Sequence, residues 1–92
     1  MKILVACGNG MGSSVIMKLK VENVVADMGL DATVENTSIG DAKSIAGNYD
    51  LLLYPTAFEY DLAGTDCPHR GGLVNMVDEE EIRRVIEEAL AE

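Results

Sequence analysis

Apolar and polar positions alternate along this 92-residue chain in two rhythms, one of strands and one of helices. Residues 3–6 form a short apolar run with the character of a buried strand. From Ser13 the spacing changes: Met17, Val21, Val24, Val25 and Met28 recur at helical intervals, with Lys18, Lys20, Glu22 and Asn23 mostly outward, and Gly29 supplies a stop. Residues 31–38 alternate small or apolar with polar side chains and predict a half-exposed edge strand. Residues 39–47 predict a short helix capped near Asp41 and ended by Gly47. Residues 50–54 are nearly continuous apolar positions, the pattern of a central strand, which Pro55 ends. A turn or short helix is expected over 56–62, a turn-rich stretch over 64–72 and a last strand over 73–76. The chain then closes with a helix. Asp78 stands as its N-cap with Glu81 three positions on, Ile82, Val85, Ile86, Ala89 and Leu90 make its buried stripe, and Glu79–Arg83 and Glu80–Arg84 are spaced as i,i+4 ion pairs.

Strands alternating with helices imply right-handed crossovers and a parallel sheet covered on both faces. The expectation is an α/β three-layer sandwich with a four-stranded parallel sheet in the order 2-1-3-4, spanning residues 1–92 as a single domain. That order places strand one beside the switch point, where such folds bind ligands. A phosphatase-like phosphate-binding loop is expected directly after strand one.

Charge narrows the range of partners. Sixteen acidic residues against seven basic ones give a net charge of −9, which opposes nucleic acid and anionic lipid. No apolar stretch approaches the length of a membrane span, and the start at Met1 runs directly into a strand, leaving no room for a signal peptide. A cytoplasmic protein without direct membrane insertion is therefore expected. Two cysteines 60 positions apart are a weak disulfide signal and read as free thiols.

The stretch with the most chemistry is Cys7-Gly8-Asn9-Gly10-Met11-Gly12-Ser13-Ser14. Glycines allow a loop to turn its N–H groups inward, and a helix N-terminus adds about half a positive charge, so the loop between strand and helix suits a tetrahedral dianion. A thiol at the mouth of such a loop is stabilised as thiolate, below its usual pKa of ~8.5. A nucleophilic sulfur in a phosphate cradle points to phosphoryl transfer through phosphocysteine, with Cys7 as the acceptor and Gly8, Asn9, Gly10, Met11, Gly12, Ser13 and Ser14 as the phosphate-binding residues. The glycine spacing is not the dinucleotide fingerprint, and no lysine follows as in a Walker A loop. In the C-x5-R loop of low-molecular-weight tyrosine phosphatases an arginine clamps the phosphoryl group; here Ser13 holds that position, which disfavours hydrolysis. A small cysteine phosphatase and a noncatalytic anion-binding module with a core cysteine are the alternative readings.

Elsewhere the chemistry is sparser. Tyr54, Thr56, Phe58 and Tyr60 fall where they can rim the site or pack. Cys67 and His69 are too few ligands for a metal site, and a parallel sheet puts Cys67, His69 and Arg70 at its amino end, away from the loop. Neither a metal nor a cofactor is called for.

The run Leu4-Val5-Ala6-Cys7-Gly8-Asn9-Gly10-Met11-Gly12-Ser13-Ser14, followed by Met17-Lys18-Leu19-Lys20-Val21-Glu22, resembles the start of the IIB components of the bacterial sugar phosphotransferase system (PTS), most closely the ascorbate class. Val74-Asn75-Met76 is similar as well. The resemblance implies that Cys7 takes a phosphoryl group from a phosphohistidine on the EIIA component and passes it to a sugar held by the membrane-embedded EIIC component. It further implies weak, transient docking at the membrane transporter. A galactitol- or pentitol-type EIIB is the neighbouring class.

Overall fold

The computed structural model describes residues 1–7, 13–75 and 78–91, with the side chains of Cys7, Ser13 and Ser14 outside that description. Four strands, β1 (Lys2–Cys7), β2 (Thr33–Ser38), β3 (Leu51–Pro55) and β4 (His69–Leu73), form one sheet in the order β2-β1-β3-β4. Every pairing is parallel: Cys7 stands opposite Ser38, Val5 opposite Leu53, and Leu53 opposite Gly71. The helices are α1 (Ser13–Asp27), α2 (Ile39–Ile45), α3 (Glu59–Leu62) and α4 (Glu79–Leu90), with 3-10 turns at Ala46–Asn48 and Thr56–Phe58.

Strand alternation divides the core into two layers. Ile3, Val5, Leu51, Leu53 and Leu73 face α1 and α4, meeting Met17, Val21, Val24, Ile82 and Ile86. Leu4, Ala6, Leu52 and Tyr54 face the other way, onto Ile39, Ala42, Leu62 and Cys67. β1 and β3 are buried on both faces because each has neighbours on both sides and helices above and below, as their unbroken apolar runs require. Each large aliphatic side chain so enclosed contributes about 1.5–3 kcal/mol of transfer free energy. The helical stripe of α1 packs as its spacing predicts, with Met28 only partly buried at the end. Gly29, at φ 70°, closes α1: its N–H donates to the Ala26 carbonyl and the Leu30 N–H to the Val25 carbonyl, which satisfies the last turn.

Local chemistry departs from the sequence expectation at four places. The N-cap of α2 is Ser38, whose Oγ accepts from the Asp41 N–H at 3.2 Å, and Asp41 lies inside the first turn. β4 begins at His69, earlier than residue 73, so Gly71 and Gly72 are strand residues. A Cβ on Gly71 would collide with Val85 Cγ1 and stand 3.2 Å from Leu53 Cδ2; the glycine is what lets α4 lie flush on the sheet. Met76, at the end of the expected strand, lies outside the described residues. In α4, Asp78 caps the Glu80 and Glu81 N–H groups as expected, but Glu81 does not close the reciprocal half of a capping box. Its Oε2 and Oε1 accept instead from the N–H groups of Val74 and Asn75, both at 2.8 Å, just past the end of β4. The Glu79–Arg83 pair is likewise replaced by bridges between helices: Lys20 to Glu79 at 3.5 Å and Arg83 to Asp27 at 3.4 Å join α1 to α4, and the expected Glu80–Arg84 pair is not among the described ion pairs.

Candidate functional site

A parallel sheet has two unlike ends. Among the described residues, all four helices start after the carboxyl ends of strands, so their N-termini share one edge of the molecule. At that edge β1 finishes on Cys7, in register with Ser38, and α1 starts at Ser13. Cys7 and Ser13 therefore occupy the strand end and the helix start that the sequence assigned them. Residues Gly8, Asn9, Gly10, Met11 and Gly12, and the side chains of Cys7, Ser13 and Ser14, lie outside the described residues, and with them the donors expected to hold a phosphate.

The electrostatic setting is nonetheless visible. Three helices carry carboxylates in their first turn: Asp41 in α2, Glu59 and Asp61 in α3, and Glu79, Glu80 and Glu81 in α4. These neutralise part of the positive end of each helix. The first turn of α1 has none. The asymmetry extends through the sequence, since residues 1–21 contain three lysines and no acidic residue, while all sixteen acidic residues lie at 22–92. Among the described helices, the one that follows the cysteine is thus the one without carboxylates in its first turn.

Around the loop, the aromatic candidates divide. Tyr54 is buried, its hydroxyl donating to Glu59 Oε2 at 2.5 Å, and burial with that carboxylate raises its pKa to about 12. Arg70 Nη1 stands 3.8 Å from the same carboxylate oxygen and donates to the Leu62 carbonyl at 3.1 Å. This cluster fastens α3 to the sheet. Phe58 packs against the α2/α3 core, while Thr56 and Tyr60 are exposed, Tyr60 at 94%. Of the four, Thr56 and Tyr60 alone are free to form a rim.

The second cysteine lies at the opposite end. Cys67 precedes β4, buried, its Sγ donating to the carbonyls of His69 at 3.2 Å and Tyr49 at 3.5 Å. Burial pushes its thiol pKa up. His69 pairs with Leu51 at the start of β3 and Arg70 with Leu52, so both belong to the amino half of the sheet. Among the described residues no cluster of three His, Cys, Asp or Glu side chains could hold a metal ion, and no helix is long and apolar enough to cross a membrane.

Sequence reasoning missed one feature of this edge. Opposite its buried stripe, α1 exposes Val15, Ile16 and Leu19 at about half their surface. The signal was present as apolar residues on both sides of the first two turns, a pattern that belongs to a helix covered on both sides.

Comparison with known proteins agrees with this architecture. The family model described as "PTS system, Lactose/Cellobiose specific IIB subunit" matches residues 2–88. The ascorbate-specific PTS system EIIB component of Mycoplasma pneumoniae is 32% identical over 88 residues, covering 96% of this chain and 93% of that protein. The protein of the same name from Escherichia coli O157:H7 is 34% identical over 76 residues, 83% of this chain and 75% of its own length. In three dimensions the chain is similar to the lactose-specific IIB domain of Streptococcus pneumoniae, with a TM-score of 0.64 at 17% identity, over 99% of this chain and 95% of that one.

Proposed function

The chain belongs to the lactose/cellobiose-specific IIB subunit family of the PTS, and from that premise we propose that it is a phosphocarrier whose acceptor atom is the sulfur of Cys7. As a IIB component it is a phosphotransferase module. The observation that carries the finer reading is the pairing of a cysteine at the end of β1 with the one helix whose first turn lacks carboxylates. That helix end and the amides of residues 8–14 stabilise thiolate over thiol and then hold the phosphoryl oxygens.

The chemistry balances without a cofactor. The Cys7 thiolate attacks phosphorus of a phosphohistidine on EIIA in line; the S–P bond forms as the P–N bond breaks, and the histidine nitrogen leaves with the bonding pair. In the second transfer a sugar hydroxyl attacks the phosphorus, the S–P bond breaks, and the thiolate is regenerated as the hydroxyl proton passes to a base on the acceptor. Ser13 and Ser14, in the first turn of α1, supply hydroxyl donors. Ser13, at the position of the phosphatase arginine, leaves hydrolysis without its guanidinium clamp, so phosphocysteine persists long enough to be delivered.

The names of the relatives support ascorbate as the transported sugar, and membership of the IIB family supports an EIIA component as donor and a membrane EIIC component as acceptor. The reading is of one EIIB domain over residues 1–92, acting in the cytoplasm and associating transiently with the transporter. Incubation with phosphoenolpyruvate, the two general carrier proteins and an ascorbate-class EIIA tests it. The expected result is one phosphoryl group on the peptide containing Cys7, lost in Cys7→Ser with the fold intact. A phosphoryl group on any other residue, or full loading of Cys7→Ser, refutes it.

A further inference from the structure

The sheet opens at its carboxyl edge between β1 and β3, because the chain leaves β1 toward α1 on one core layer and leaves β3 toward α3 on the other. A ligand in a fold of this kind lies in that crevice and meets the segments on both sides of it. One side is the segment that follows Cys7; the other starts at Thr56. β1 and β3 run in register with Val5 opposite Leu53, and two residues further they end at Cys7 and Pro55. With neighbouring strands about 4.8 Å apart and a rise of about 3.3 Å per residue, the Cα of Thr56 falls about 6 Å from that of Cys7.

Thr56 is held in place and yet uncommitted. Its Cγ2 stands 3.0 Å from where a Cβ on Gly72 would lie, so the glycine in β4 makes room for its methyl group. The segment it opens is fastened at Glu59, which accepts from the buried Tyr54 hydroxyl, and at Leu62, whose carbonyl accepts from Arg70 at 3.1 Å. Thr56 is exposed all the same, and among the described residues its hydroxyl has no hydrogen-bond partner. Ser38, which flanks Cys7 on the side of β2, differs: its Oγ accepts from the Asp41 N–H at 3.2 Å and caps α2. The hydroxyl left over for a ligand is thus the one on the crevice side of Cys7. We propose, resting on the phosphocarrier reading, that Thr56 is a catalytic residue whose hydroxyl donates a hydrogen bond to an oxygen of the phosphoryl group as that group arrives on Cys7. The bond is absent while the phosphoryl group is still on the donor histidine, so it favours the transition state and the phosphocysteine over the bound reactants.

The test compares wild type, Thr56→Val and Thr56→Ser in the full chain: valine keeps a methyl against Gly72 and removes the hydroxyl, while serine keeps the hydroxyl. With ascorbate-class phospho-EIIA as donor, Thr56→Val is expected to lower the kcat of loading about tenfold with KM within about twofold; tenfold corresponds to 1.4 kcal/mol, the low edge for a hydrogen bond to a charged group. A second readout involves no turnover. The concentration of inorganic phosphate that half-protects Cys7 from iodoacetamide is expected to rise about tenfold in Thr56→Val, for the same lost bond. Thr56→Ser is expected to restore both. Loading of Thr56→Val at the wild-type rate, with unchanged protection by phosphate, overturns the role of Thr56 while leaving the phosphocarrier reading intact. A rise in KM alone makes Thr56 a contact for the donor protein and overturns its bond to the phosphoryl group. Equal loss in Thr56→Val and Thr56→Ser, with the urea midpoint lowered in both, makes its role structural and overturns it as well. If wild-type protein is not loaded at all, the phosphocarrier reading itself fails.

Discussion

The two cysteines stand at opposite ends of the same parallel sheet, and the contrast shows how a fold separates structure from chemistry. Cys67 enters from the amino end, buried in the core layer that holds Leu52, Leu62 and Ala42, its thiol committed to two carbonyls and its pKa raised by burial. Cys7 closes β1 at the carboxyl end, where helices start. In a parallel sheet the amino end gathers carbonyl-rich helix C-termini and the carboxyl end gathers N–H-rich helix N-termini. One environment suits a neutral thiol and the other a thiolate. The residue type is the same; on the proposed reading, strand polarity assigns the role.

Three substitutions probe that contrast, in descending order of expected effect. Cys7→Ser should abolish phosphoryl acceptance in a single-turnover assay, since an alcohol has no thiolate to offer, while the denaturation midpoint stays near that of the wild type. Gly71→Ala should destabilise by about 1–3 kcal/mol in urea titration, because overpacking forces α4 away from the sheet. Val85→Ala in the same chain should recover much of that loss, and the rate of transfer should follow stability at neither step. Cys67→Ser should leave phosphorylation untouched and lower stability by about 1 kcal/mol, the scale of placing a hydroxyl in a buried, mainly apolar site with carbonyl acceptors still at hand. A Cys67→Ser protein that cannot be phosphorylated would place the amino end within the chemistry and dissolve the contrast.

Much of this was legible before any coordinates, for physical reasons that differ from element to element. The apolar runs at 3–6 and 50–54 have no amphipathic alternative, so β1 and β3 were expected and found, and with parallel crossovers the strand order followed. Gly29 announced its own positive φ. What the sequence did not disclose were interactions decided by three-dimensional neighbours. Gly71 and Gly72 look like turn residues until Val85 is seen against one of them and Thr56 and Tyr54 against the other. Glu81 reads as half of a capping box, yet its carboxylate accepts from the N–H groups of Val74 and Asn75, while the Asp78 N–H donates to the Asn75 carbonyl at 3.2 Å. Arg83 had a carboxylate four residues earlier and still reaches across to Asp27 on α1. At the site the strand end, the helix start and the charge asymmetry follow from residue order alone, whereas the apolar outer face of α1 was written in the same residues and passed over because the opposite stripe already accounted for the helix.

The central claim is that the thiol of Cys7 is ionised near neutral pH. Its most direct measurement is the rate of iodoacetamide alkylation of each cysteine against pH, followed by peptide mass. The account predicts that Cys7 reacts with a midpoint well below the usual thiol value of ~8.5 and that inorganic phosphate slows it, while Cys67 reacts only above that value or on unfolding. A Cys7 midpoint at or above ~8.5, indifferent to phosphate, would contradict it.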